Sequence, residues 1–198
     1  MALEELGLDS DRENMRTRDR LVGVYIGILA VILAICSLGA SNADQDSNRQ
    51  NIAASNVWAF FQAKNARRQA LRLHVDELDI RLKATPGMPE DVRKLIEAKI
   101  SDYKEQDKKL TSDPVSGEGL DELFNKGKAL EGERDEAIKR GPYFDYGQAL
   151  LQIAIVLASV AIISGGNFLL FGSFLLGGLG ILSTVGGFTL AFPLPFAG

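Results

Sequence analysis

Apolar and charged positions are segregated along the chain. The run LVGVYIGILAVILAICSLG at residues 21–39 carries no charged side chain, and from Tyr146 to Gly198 there is no Asp, Glu, Lys, Arg or His. At about 1.5 Å per helical residue, the first run matches a hydrocarbon core of roughly 30 Å. The last stretch divides into Ala149 to Ser164 and Phe168 to Phe192, separated only by Gly165-Gly166-Asn167, which predicts an antiparallel helical hairpin. Tyr143, Phe144 and Tyr146 are residue types that sit at a headgroup boundary, and Pro193 and Pro195 end the last helix. The predicted layout is a tail at 1–20, membrane helices at 21–39, 147–165 and 168–192, an extramembrane segment at 40–146 and a tail at 193–198. The fold class this implies is all-α: an integral membrane protein with three transmembrane helices and a coiled-coil-like helical bundle outside the membrane.

The polar middle also reads as helix. Residues 41–83 contain neither glycine nor proline, and Leu71, Val75, Leu78 and Leu82 recur at helical spacing. Thr85-Pro86-Gly87-Met88-Pro89 predicts a turn, with Pro89, Glu90 and Asp91 suited to opening a second helix that ends near residue 111. Asp113-Pro114-Val115-Ser116-Gly117 predicts another break. A third helix is expected from about Glu118 to Arg140, weakened by Gly127 and Gly132, before Gly141-Pro142 resets the chain. The segment reads as a helical hairpin or a three-helix bundle. Its apolar positions are few for its length, so self-association is expected to supply the missing burial.

Small residues recur at alternating spacings of four and three in each apolar run. They are Gly23, Gly27, Ala30, Ala34 and Ser37 in the first, Ala154, Ala158, Ala161 and Gly165 in the second, and Ser173, Gly177, Gly180, Thr184 and Gly187 in the third. Such stripes let helix backbones approach closely where burial gains nothing over lipid. The competing account is that Gly and Ala are common in membrane helices. Helix packing, within the chain or between copies, is the expectation.

Charge adds orientation. The formal net charge is −4, from 22 bases and 26 acids with no one-sign tail, so the footprint of nucleic-acid binding is missing. Arg12, Arg16, Arg18 and Arg20 precede the first apolar run, while Arg49, Arg134, Lys139 and Arg140 flank the other side, an equal count. The first helix usually dominates, which puts the amino terminus in the cytoplasm and residues 41–146 in the periplasm. A removable signal peptide is the competing reading of residues 16–43. The apolar run exceeds an ordinary signal core, and a retained helix is expected.

Candidate chemistry is sparse. Cys36 is the only cysteine and His74 the only histidine, so neither a disulfide framework nor a Cys/His metal cage can form within one chain. His74 and Glu77 lie one helical turn apart, an arrangement more typical of a solvated face than of a metal pair. Lys64, Arg67, Arg68 and Arg72 form a basic stripe, with Glu131, Glu133, Asp135 and Glu136 as its expected partners. Nucleophile-elbow, phosphate-loop and zinc-protease patterns are missing, and the apolar runs hold no ionisable group to relay protons. No catalytic residue, cofactor or metal is therefore expected. A passive pore between copies, lined by Ser173, Ser183, Thr184 and glycine backbones and gated by dewetting, stays open as an alternative.

Residues 54–64, Ala-Ser-Asn-Val-Trp-Ala-Phe-Phe-Gln-Ala-Lys, resemble the signature block of a bacterial membrane-protein family known as domain of unknown function 4337. The resemblance implies one membrane helix, this aromatic block, a charged helical segment and a closing membrane hairpin, in the bacterial inner membrane. The resemblance implies that relatives usually carry Asp at the position of Asn56 and tyrosines at Phe60 and Phe61, and often arginines where this chain has Gly165, Gly166 and Asn167. The family brings no known reaction. Trp58, Phe60 and Phe61 lie too far from the apolar run for an interfacial belt. Either they pack on neighbouring helices or they anchor a second subunit. The leading expectation is a non-enzymatic homo-oligomeric scaffold in contact with lipid; the alternatives are an oligomeric channel and an accessory subunit of a larger respiratory or energy-converting membrane complex.

Overall fold

A computed structural model describes the backbone of residues 2–193 and the side chains of residues 16–193. Within them the chain forms four helices and no strand: α1 (Ala2–Ala84), α2 (Glu90–Thr111), α3 (Leu120–Ser164) and α4 (Asn167–Thr189). Three of these, α1, α3 and α4, are long and apolar enough to cross a membrane by length and composition. The expected tail beyond Pro193 lies outside the described residues. Two compact units are distinguished, Met1–Ser47 with Asp135–Gly198, and Asn48–Arg134. They are called unit 1 and unit 2 below.

Unit 1 packs α1, α3 and α4 side by side. The α3–α4 hairpin turns at Gly165, whose φ of 69° is the left-handed conformation that closes a helix at low cost only for glycine. Its interior is built from small groups: Ala154, Ala158, Ala161, Cys36 and Ser173 are almost completely buried. Leu29, Leu151 and Phe144 fill the spaces between them. The large aliphatics face outward, including Leu21, Val24, Ile28 and Val31 on α1, Val156 on α3 and Leu182 on α4. Small inside and large outside inverts the pattern of a water-soluble core.

The expected reset at Gly141-Pro142 does not occur, because α3 runs through it as one helix. Pro142 removes one backbone donor, but the next two residues are held by tertiary contacts. Phe144 is buried, with its ring 5.0 Å from that of Phe188, and Tyr143 donates its hydroxyl to the Phe192 carbonyl. These two aromatics are therefore core residues, and Tyr146 alone of the three points outward.

Unit 2 is two helices thick. Residues 64–72 of α1 meet the end of α2 and the start of α3: Arg72 pairs with Asp107 at 2.9 Å, Arg68 donates to Thr111, and Lys64 lies 3.5 Å from Glu118. Lower on α1, Trp58 contacts Phe124 and Glu131 of α3. α2 and α3 thus follow one another along a single face of α1, with Ala54, Leu71 and Val75 buried in the seam. Of the two arrangements expected for this segment, the contacts form the hairpin.

Candidate functional site

The small-residue stripes divide into two classes. On α4 the stripe is filled by the chain itself. A Cβ added at Gly180 would lie 2.8 Å from Leu151 Cγ, at Gly177 2.6 Å from the Tyr25 hydroxyl, and at Gly187 2.7 Å from the Phe144 ring. Ser173 donates to the Ala154 carbonyl at 2.7 Å, and Ser183 to the Tyr143 carbonyl at 2.6 Å. Thr184 bonds back to the Gly180 carbonyl at 2.8 Å. All three hydroxyl residues are buried. Their hydroxyls satisfy α3 and α4 backbone carbonyls within the chain.

On α1 the stripe is uncovered. Gly23, Gly27, Ala30 and Ala34 are exposed, and nothing lies within 4 Å of a Cβ built at either glycine. The face of α1 turned inward is instead Val22, Leu29 and Cys36, spaced one heptad apart. Composition does not separate the two classes, since the stripes are alike in residue type. Which one is filled depends on how the helices are rotated.

The aromatic block also divides. Trp58 forms edge contacts with Phe61 and Phe124, each at a centroid distance of 5.6 Å. Its indole N–H donates to Glu131 at 2.9 Å, and Gly127 leaves room beneath its ring. The Glu131 carboxyl is held below its ordinary value, foremost by the hydrogen bond from Lys128 at 2.7 Å and further by Trp58. Phe60 faces away and is 41% exposed, with the Lys64 ammonium 5.0 Å from its ring centroid.

The basic stripe meets partners other than the acidic run expected for it. Arg72, Arg68 and Lys64 reach Asp107, Thr111 and Glu118, because the antiparallel register sets residues 64–72 against the α2–α3 junction. Glu131 sits lower, beside Trp58. His74 lies 3.9 Å from Glu77 with both side chains exposed, and no group of three or more His, Cys, Asp or Glu able to hold a metal ion occurs among the described residues.

The family described as Domain of unknown function (DUF4337) matches residues 18–190. The chain belongs to the DUF4337 family. The matched region of this DUF4337 member takes in the uncovered α1 stripe, the Trp58 cluster and the whole hairpin. No curated protein and no solved structure matches the chain.

Proposed function

We propose that this DUF4337 protein is a non-enzymatic, homo-oligomeric scaffold of the bacterial inner membrane. Its three apolar helices span the bilayer, and it keeps the charged segment in water on the periplasmic side. The outward-facing aliphatics of unit 1 support the membrane part, since lipid is the solvent in which such a surface is stable.

One observation carries the self-association. Two of the three small-residue stripes are used inside the chain, while the Gly23, Gly27, Ala30 and Ala34 face of α1 is left open to close approach by another helix. The two-helix thickness of unit 2 points the same way, because it leaves one face of every helix in water. The burial of Ser173, Ser183 and Thr184 against the chain's own backbone favours the scaffold reading over a path lined by these three hydroxyls.

Native mass spectrometry of the full chain, extracted with a patch of its own membrane, tests the proposal. A defined multiple of the chain mass is expected. Monomers alone would remove the proposal, and fixed-stoichiometry co-extraction with other proteins would replace it with the accessory-subunit reading.

A further inference from the structure

In unit 2, the face of α1 opposite the intrachain seam carries a second heptad repeat. Ile52, Ala59, Ala66, Leu73 and Ile80 are each seven residues apart and all exposed, the three large ones at 63%, 69% and 66%. Asn56, Ala63, Ala70 and Glu77 interleave with them at four-three spacing and are exposed as well. At about 100° per residue, this stripe lies about half a turn of the helix from Val75. Exposed aliphatics at that spacing on a charged, water-facing helix are d positions of a coiled coil without its partner.

The flanks indicate which partner fits. With Leu73 at d, the g positions are Ser55, Gln62, Gln69 and Asp76, and the e positions are Phe60, Arg67, His74 and Arg81. In a parallel, in-register pair, each g side chain meets the e side chain five residues further along on the other helix. That sets Asp76 against Arg81 of the other copy, Gln69 against His74 and Gln62 against Arg67, with one attractive pair and no like-charged one. Asn56 falls at an a position, where asparagine favours parallel, in-register pairing. Glu77, at the last a position, is the one acid in the seam and faces Glu77 of the other copy, a like-charged contact that Arg81, 3.6 Å from the carboxylate in its own chain, offsets. The exposed Phe60 also finds a place, at the edge of the same seam.

We infer that the Ile52–Ile80 face of α1 is a docking surface for the same face of a second copy, forming a parallel coiled coil. The parallel sense follows from membrane insertion, which gives every copy the same direction. The inference rests on the proposed self-association and adds to it a surface, a direction and a register. The alanines at 59, 63, 66 and 70 let the two backbones come close over the middle of the contact.

The test uses the full chain in native membranes with single substitutions to cysteine; Cys36 is fully buried and serves as the background. Mild oxidation is expected to link two copies through Ala66→Cys and through Leu73→Cys, but not through Ser101→Cys, an exposed position on α2. Asp76→Arg should lower the Ala66→Cys yield roughly tenfold through like-charge juxtaposition with Arg81, and adding Arg81→Asp should restore it. An oligomer by native mass spectrometry without linkage at 66 or 73 overturns this inference and leaves self-association standing. Monomers alone overturn both, and linkage of these cysteines to a different protein overturns the self-docking.

Discussion

Arg18 and Gly165, 147 positions apart, are joined by a hydrogen bond of 3.0 Å from the guanidinium to the glycine carbonyl. The same guanidinium reaches the Asn167 side-chain oxygen at 3.2 Å and the Ala161 carbonyl at 3.3 Å. The last carbonyls of a helix have no intrahelical donor and carry its negative end, so a cation at the close of α3 offsets both. In a membrane-spanning chain, this contact ties the hairpin turn to the side from which α1 enters. Cysteines placed at Arg16 and Asn167 should therefore react with an impermeant thiol reagent from one side of the membrane, and one at Asn42 from the other. Labelling of the first two from opposite sides would break the three-span arrangement.

Gly27 and Gly180 belong to stripes of the same composition, yet they should respond oppositely to the same substitution. In Gly180→Leu the new side chain must enter space held by Leu151, with its backbone nitrogen only 3.2 Å from the added Cβ. An overpacking cost of about 1–3 kcal/mol or more is expected, seen as a lower melting temperature of the purified chain. In Gly27→Leu nothing stands in the way within the chain. That variant should melt like the parent while its oligomer weakens in native mass spectrometry. A loss of conductance without loss of fold in Gly180→Leu would favour the channel instead.

The contrast marks how far the residues alone could be read. The absence of charge in residues 21–39 and after Tyr146, and the turn at Gly165-Gly166-Asn167, announced the apolar helices, because lipid solvation and helix length leave little choice there. For Trp58 and Phe61 the residues left two places open, neighbouring helices or a second subunit, and within the chain both rings meet Phe124. Rotation and register were not legible. Whether Gly27 or Leu29 turns inward, and whether Arg72 meets Asp107 or an acid of α3, depends on contacts between segments distant in the chain. Pro142 shows the same override: a local helix-breaking signal yields to the burial of Tyr143 and Phe144.

Two glycines of α3 should separate helix propensity from packing. Gly132 has open space around an added Cβ, whereas one at Gly127 would lie 2.9 Å from two atoms of the Trp58 indole. Gly132→Ala is expected to raise stability by up to about 1 kcal/mol, the propensity gain alone. Gly127→Ala meets a ring wedged between Phe61 and Phe124, so the overlap should cancel that gain and leave the protein less stable than its parent. Urea unfolding followed by helical circular dichroism measures both, and indole fluorescence should shift in Gly127→Ala only. Equal stabilisation by the two substitutions would mean that Trp58 does not sit over Gly127.

The junction between α2 and α3 is clasped by two carboxylates. Glu122 accepts from the Ser112 hydroxyl at 2.7 Å and from the Asp113 N–H at 3.1 Å, while Asp113 accepts from the Ser116 hydroxyl at 2.7 Å and its N–H at 3.2 Å. These bonds favour the charged forms. Both carboxyls are held below their ordinary values of 3.8 for Asp113 and 4.5 for Glu122, with the serine hydroxyls as the leading cause. A folded-state value below the unfolded one binds fewer protons in the fold, so the stabilisation is complete above the ordinary values and disappears as pH falls through the depressed ones. Hydrogen exchange at the Gly117 and Leu123 amides, which bond to the Asp113 and Gly119 carbonyls, reads the clasp directly. After correction for intrinsic exchange, protection should stay level from about pH 7 to about pH 5 and fall only in more acid solution. Glu122→Gln removes one of the two charges, so part of that acid dependence should go with it. A loss of protection already near neutral pH would show that these carboxylates do not hold the turn.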